Sequence, residues 1–264
     1  MKNFLKFLIN YFLNLTGTRL ISKEFYNLSV LNKELVQSLE VIPVIKKLES
    51  VNKYINFLGK SQSQRGRVPM DLFVLQYLDF KSDGFFIEFG AGNGKYLSNT
   101  YLMEKDFNWS GILCEPVKGF MSDIEKNRSC IIENICVWSK TGESLEFIET
   151  DVPEHSTINK FSMLDKIAPL RKKGKKYQVK TITLNDLLDK HGAPELIDYL
   201  SIDTEGSELE ILEAFNFKKY RIKFITCEHM FTENREKIYN LLISKGYKRI
   251  FENLSKQDDW YVID

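Results

Sequence analysis

From residue 85 onward the chain is ruled by short apolar runs set between helical stretches: FFIEF (85–89), GILCE (111–115), CIIEN (130–134), YLSID (199–203), KFITCE (223–228) and WYVID (260–264). Apolar residues spaced three and four apart predict helices over 96–106, 117–127, 183–190, 207–215 and 234–245. Strands that alternate with helices are joined by crossovers, and crossovers build a mostly parallel sheet flanked by helices. The expected class is therefore α/β and Rossmann-like. Ligands of such sheets sit at the carboxyl ends of the strands, and several of these runs end in a carboxylate.

Upstream the pattern changes. Residues 22–39 place Phe25, Leu28, Leu31, Leu35 and Leu39 on one helical face, and a second helix follows through Val41, Val44, Leu48, Val51 and Leu58 to a stop at Gly59. The stretch KSQSQRGRVP (60–69) is polar and rich in breakers. It sets a boundary between a helical N-terminal segment, residues 1–60, and an α/β domain, residues 61–264. The opening run MKNFLKFLINYFLNL is apolar but interrupted by Lys6 and Asn10, and it falls short of the ~20 residues that span a bilayer. Packing on the domain, a homodimer contact and weak membrane association all remain open for it. Residues 151–178 follow neither periodicity, and so long a loop in a compact domain is usually functional.

Composition removes other classes. An apolar fraction of 43% over 264 residues supports a core without disulfides and excludes intrinsic disorder. With 37 Lys+Arg against 36 Asp+Glu there is no global field for nucleic acid, and none is expected as partner. Cys114, Cys130, Cys136 and Cys227 lie inside apolar runs without a CxxC pair, as reduced residues of a cytoplasmic protein do.

In FFIEFGAGNGKY, a strand carrying Glu88 runs into Gly90, Gly92 and Gly94. Glycines let the backbone turn tightly and approach a ligand. A dinucleotide fingerprint needs a third small residue where this chain has Lys95, and an acid inside the strand sits badly beside a pyrophosphate. It suits a ligand with an ammonium group, such as the methionine part of S-adenosylmethionine. Glu115 ends the next strand, 21 residues after Gly94, where a carboxylate can accept hydrogen bonds from both ribose hydroxyls. Glu133, Asn134 and Ile135 would then reach the adenine edge.

These stretches resemble the FkbM-type methyltransferases, a branch of the S-adenosylmethionine-dependent class. The likeness is carried by residues 85–116, by VKTITLNDLL (179–188) and by LSIDTEGSELEIL (200–212) with ITCEH (225–229), IDTEGSE being the most specific. Relatives often have a shorter S-Q…D pattern where this chain has Ser63-Gln64 and Asp71. The resemblance implies a class I methyltransferase fold and S-adenosylmethionine as cofactor. It also implies methylation of a hydroxyl or similar nucleophile, commonly on a sugar or small metabolite.

Asp203 ends one strand and Glu228-His229 end the next, with Glu205 in the turn after Asp203. Neighbouring strands would gather these groups at one point. Two readings stay open. Asp203, Glu228 and His229 hold Mg²⁺ or Mn²⁺, an arrangement similar to that of metal-dependent catechol O-methyltransferases; or His229 is a general base oriented by an acid. The candidate catalytic residues are thus Asp203, Glu205 and His229, and the candidate cofactor residues Glu88, Gly90, Gly92, Gly94, Glu115 and Asn134. The basic run Arg171, Lys172, Lys173, Lys175 and Lys176 is either a solvated face or a contact for the diphosphate of a nucleotide-sugar. The expected reaction is methylation of a sugar hydroxyl, on a nucleotide-sugar or a glycan or capsule precursor. An NAD-dependent sugar oxidoreductase or epimerase is the alternative, disfavoured by the glycine spacing. A non-catalytic binding protein would not need carboxylates at three strand ends.

Overall fold

The computed structural model describes residues 53–54, 56–63, 69–164 and 166–263. In chain order its elements are α1 (Met70–Tyr77), β1 (Phe85–Phe89), α2 (Tyr101–Phe107), β2 (Ser110–Cys114), α3 (Met121–Asn127), β3 (Ile131–Glu133), β4 (Cys136–Val137) and β5 (Ser144–Glu149). There follow β6 (Thr157–Ile158), α4 (Ala168–Arg171), β7 (Lys175–Ile182), α5 (Leu184–Lys190), β8 (Leu196–Ile202), α6 (Glu208–Glu213) and β9 (Arg221–Glu228). The chain closes with α7 (Asn234–Ser244), β10 (Lys248–Ile250), α8 (Glu252–Ser255) and β11 (Asp258–Val262). Residues 53–54 and 56–58 are helical; the helices expected over 22–39 and the opening run lie outside the described residues.

Seven strands form the main sheet in the order β10-β11-β9-β8-β1-β2-β3. β3, β2, β1, β8 and β9 run parallel, and β11 slots antiparallel between β9 and β10. This is the Rossmann-like class I methyltransferase fold. The chain builds outward from β1 through β2 and β3, then returns to build outward through β8 and β9. That reversal opens a crevice above the carboxyl ends of β1 and β8.

Strand alternation sorts the core into two layers. Phe86, Tyr199, Phe224 and Trp260 pack on the face of α1 and α2, while Ile87, Leu200, Ile225 and Tyr261 pack on the opposite face with residues of α5, α6 and α7. Burying whole side chains of this size contributes about 1.5–3 kcal/mol each.

Two features depart from the sequence expectation. The helix expected from residue 96 begins at Tyr101, because Ser98, Asn99 and Thr100 are drawn to Glu88 instead. Residues 151–178 are largely structured: β6 and the start of β7 belong to a second sheet, β4-β7-β5-β6, and α4 lies between them along the chain. β5 and β7 pair antiparallel over six residues, and Tyr177, Val179 and Thr181 alternate inward along β7. This insert packs on Trp138, Phe147, Ile158 and Phe161 beside the crevice. All four cysteines are free; Cys130 is half-buried and the others are buried.

Candidate active site

A cavity opens at the crevice, where ligands of such sheets sit. Gly90 and Gly92 form one wall, Glu115 and Val117 the next, and Ile135, Val137, Phe147 and Ile158 supply apolar surface. Gly90 has φ of +79°, and a Cβ there would stand 1.8 Å from the carbonyl oxygen of Asp203. Glycine is therefore required for β1 and β8 to meet at this point. Gly92 has φ of +53°, and a Cβ there would meet nothing nearer than 3.9 Å, so its bare backbone leaves room for a ligand. Gly94 turns away against Ile124 and Arg128.

Glu115 is buried at the cavity wall, accepting the N–H of Gly92 at 3.1 Å and of Val117 at 2.9 Å. Burial pushes its carboxyl up to about 8 despite those two bonds. An apolar wall beside a carboxylate of this kind fits a purine riboside with free ribose hydroxyls. Asn134 donates to the backbone carbonyl of Glu115 at 2.7 Å; it fixes the turn that presents the acid and is not among the residues lining the cavity. Glu133 pairs with Lys190 and with His191.

Glu88 is a correction to the sequence reading. Its position on β1 shares parity with Phe86, so its side chain points to the α2 face, outside the cavity lining. There it accepts Ser98 Oγ at 2.8 Å, Asn99 N at 2.6 Å and Thr100 Oγ1 at 2.5 Å, with the buried Arg128 guanidinium at 3.4 Å. Glu88 is thus saturated by the loop that follows the glycines and holds that loop in place. Ser63 and Asp71 brace the same region: Ser63 Oγ donates to Asn99, and Asp71 accepts Ser61 Oγ at 2.6 Å. Burial lifts the Asp71 carboxyl to about 6.

At the far end of the cavity the structure brings Asp203, Glu205 and Glu228 together, with one oxygen of each within 4.8 Å of the others. The register explains the first pair: Ser201 lies opposite Thr226, so two residues later Asp203 and Glu228 share a side. Burial raises both carboxyls well above the usual range, and the charge of Glu205 on Asp203 and of Asp203 on Glu228 adds to it. Two carboxyls this close and this raised favour a state in which the pair keeps a proton.

His229, one residue beyond Glu228, faces the other side of the strand and does not join the acids. Its Nδ1 accepts the N–H of Phe231 at 3.0 Å, and its Nε2 stands 3.7 Å from Asp259, which is held by Arg235 at 2.8 Å. Burial pulls its pKa down to about 4. A neutral imidazole whose lone pair is already engaged serves neither as ligand nor as base here; Glu205 takes its place in the cluster.

Sequence reasoning missed what holds Glu205. Arg171, read as part of a basic run, is fully buried and donates from Nη2 to Glu205 at 2.6 Å and from Nε to the His155 carbonyl at 2.9 Å. Thr157 Oγ1 donates to the Glu205 carbonyl at 2.8 Å, and Glu205 itself sits at φ of +57°. The insert thus clamps a strained turn over the cavity. Only spacing signals it: Arg171 falls three residues after Ala168, on the buried side of α4.

Three solved structures illustrate the likeness of this chain to known proteins. The precorrin-6y C5,15-methyltransferase of Geobacter metallireducens GS-15 is 12% identical with a TM-score of 0.38, over 77% of this chain and 90% of that one. A ribosomal protein L11 methylase of Lactobacillus delbrueckii subsp. bulgaricus is 9% identical with a TM-score of 0.40, over 76% and 79%. The N-terminal domain of human METTL16 is 15% identical with a TM-score of 0.39, over 75% and 70%. No curated protein sequence matches. The methyltransferase FkbM domain matches residues 88–257, from the carboxylate of β1 to the start of β11 and through every residue of the cavity wall. On that match, which spans more than half of the 264 residues, the chain belongs to the FkbM methyltransferase family and is an S-adenosylmethionine-dependent methyltransferase.

Proposed function

We propose that the protein methylates a hydroxyl group of a sugar, carried on a nucleotide or as a glycan or capsule precursor. The observation that supports this reading is the close pair of Asp203 and Glu228 at the cavity, with Glu205 separately paired to Arg171. An alcohol is a weak nucleophile and gains from a base placed at its proton. S-adenosylmethionine supplies an electrophilic methyl group on a sulfonium. Gly92 leaves room for it, and Glu115 receives its ribose.

Asp203 lines the cavity and Glu228 lies behind it, so Asp203 takes the hydroxyl proton. S-adenosylmethionine held there would supply the methyl group to that oxygen, the carbon–sulfur bond breaking with its electron pair left on sulfur. Glu228, through the proton the pair keeps, holds Asp203 from carrying a full charge before the acceptor arrives. Alignment of oxygen, carbon and sulfur contributes further, on the order of 7–11 kcal/mol in well-oriented systems.

A second reading places Mg²⁺ or Mn²⁺ among Asp203, Glu205 and Glu228. It is favoured by the all-oxygen donor set and by Glu228 Oε2, which is buried without a hydrogen-bond partner. The test is transfer of labelled methyl from S-adenosylmethionine to a panel of nucleotide-sugars and glycans, with and without chelator. Asp203→Asn is expected to lower kcat by about 10²–10⁴ while binding of S-adenosylhomocysteine persists. Turnover unchanged in that variant sinks the acid-pair reading, and chelator-sensitive turnover selects the metal.

A further inference from the structure

The insert that clamps Glu205 is also rich in lysine. Residues 151–178 contain seven Lys or Arg and three acids, in a protein whose net charge is only +1. Lys160 and Lys176 reach Glu210 and Glu146. Lys166, Lys172, Lys173 and Lys175 are exposed and make no ion pair among the described residues.

Apolar side chains crowd the same stretch. Met163, Leu164 and Leu170 are 62%, 51% and 52% exposed, and with Val152 they make up four of the nine large apolar side chains exposed among the described residues. α4 explains their direction. Ala168 and Arg171 face inward, so Pro169 and Leu170 face out, and Lys172 and Lys173 continue that exposed side. Leucines that gain by leaving water, set among lysines without counterions, are the chemistry of an anionic bilayer surface. A nucleic-acid backbone would satisfy the lysines and leave the leucines unused. Among the described residues no helix is long and apolar enough to cross a membrane, so the contact is a surface one.

We propose that the face formed by Met163, Leu164, Leu170, Lys172, Lys173 and Lys175 docks on an anionic membrane surface. The patch is covalently continuous with the cleft: Leu170 and Lys172 flank Arg171, whose guanidinium holds Glu205. Docking there sets the cleft beside the headgroup layer. Resting on the sugar-methylation reading, this makes the acceptor a membrane-anchored glycan rather than a free sugar.

The experiment is flotation of the full chain with vesicles of phosphatidylcholine containing roughly one third phosphatidylglycerol, against vesicles of phosphatidylcholine alone. Binding is expected only to the anionic vesicles and falls as salt rises. It drops about tenfold or more in Leu164→Glu/Leu170→Glu and in Lys172→Glu/Lys173→Glu. Ile243→Glu, which alters an exposed apolar residue on α7, leaves it unchanged. Equal binding to neutral vesicles, or undiminished binding in both double variants, overturns the proposal, the latter by moving the contact to another part of the chain. Retention on an RNA or DNA duplex in place of vesicles overturns it as well. Binding of S-adenosylhomocysteine, measured on each protein, keeps the two readings apart: a chain that binds it and ignores vesicles refutes the docking alone.

Discussion

Glu88→Gln separates two roles that the sequence leaves indistinguishable. If Glu88 met the cofactor directly, the substitution would weaken binding of S-adenosylhomocysteine and leave stability nearly untouched. The structure demands the reverse order of effects. The Glu88 carboxylate receives three hydrogen bonds of 2.5–2.8 Å from Ser98, Asn99 and Thr100, and it is one of two acids facing the buried guanidinium of Arg128. An amide keeps one acceptor but presents a donor to the hydroxyls and removes the charge opposite Arg128. Hydrogen bonds to a charged group are worth about 1.5–3 kcal/mol each, and breaking a buried pair costs about 3–5 kcal/mol. These contributions overlap, so about 3–5 kcal/mol is the expected total. With a urea slope of roughly 3 kcal/mol/M, the unfolding midpoint falls by about 1–2 M. Equilibrium unfolding in urea, followed by tryptophan fluorescence, reads this directly. A midpoint within a few tenths molar of the wild type, together with lost ligand binding, would refute the assignment.

Glu115 predicts a pH dependence of stability. Its folded pKa is raised from 4.5 to about 8, so between those values the folded chain holds a proton that the unfolded chain has released. Stability therefore falls as pH rises through this window, by up to roughly 5 kcal/mol for a shift of this size. Glu115→Gln is expected to flatten that part of the wild-type profile; identical profiles for both proteins would show that Glu115 is not the source. Arg171→Met leaves Glu205 buried without its cation and is expected to cost about 3–5 kcal/mol. Adding Glu205→Gln should recover 1 kcal/mol or more, roughly, in a double-mutant cycle, and strictly additive losses would sever the proposed clamp.

What was legible in the sequence follows from short-range periodicity. The six apolar runs became strands because alternation along a strand and three-to-four spacing along a helix are local properties. The glycines were legible for a similar reason, since few residues tolerate the positive φ seen at Gly90 and Gly92. Glu115 and Asp203 lie at the cavity because parallel sheets expose the carboxyl ends of their strands.

Facing was not legible in the same way. Glu88 and His229 both looked like site residues by position, yet one turns under α2 and the other toward Asp259. Their direction depends on where β1 and β9 end relative to their neighbours, which only the assembled register decides. The insert is the clearest case. Arg171 lies in a run of lysines whose composition reads as solvated surface, and no local pattern ties it to Glu205, 34 residues on. A buried guanidinium is tolerable only opposite an acid, and that partner is supplied by a turn between β8 and α6. The sequence by itself determined the sheet, the cleft and most of the acids near it. Tertiary packing decided which of those acids meet, because burial and pairing are properties of the closed chain.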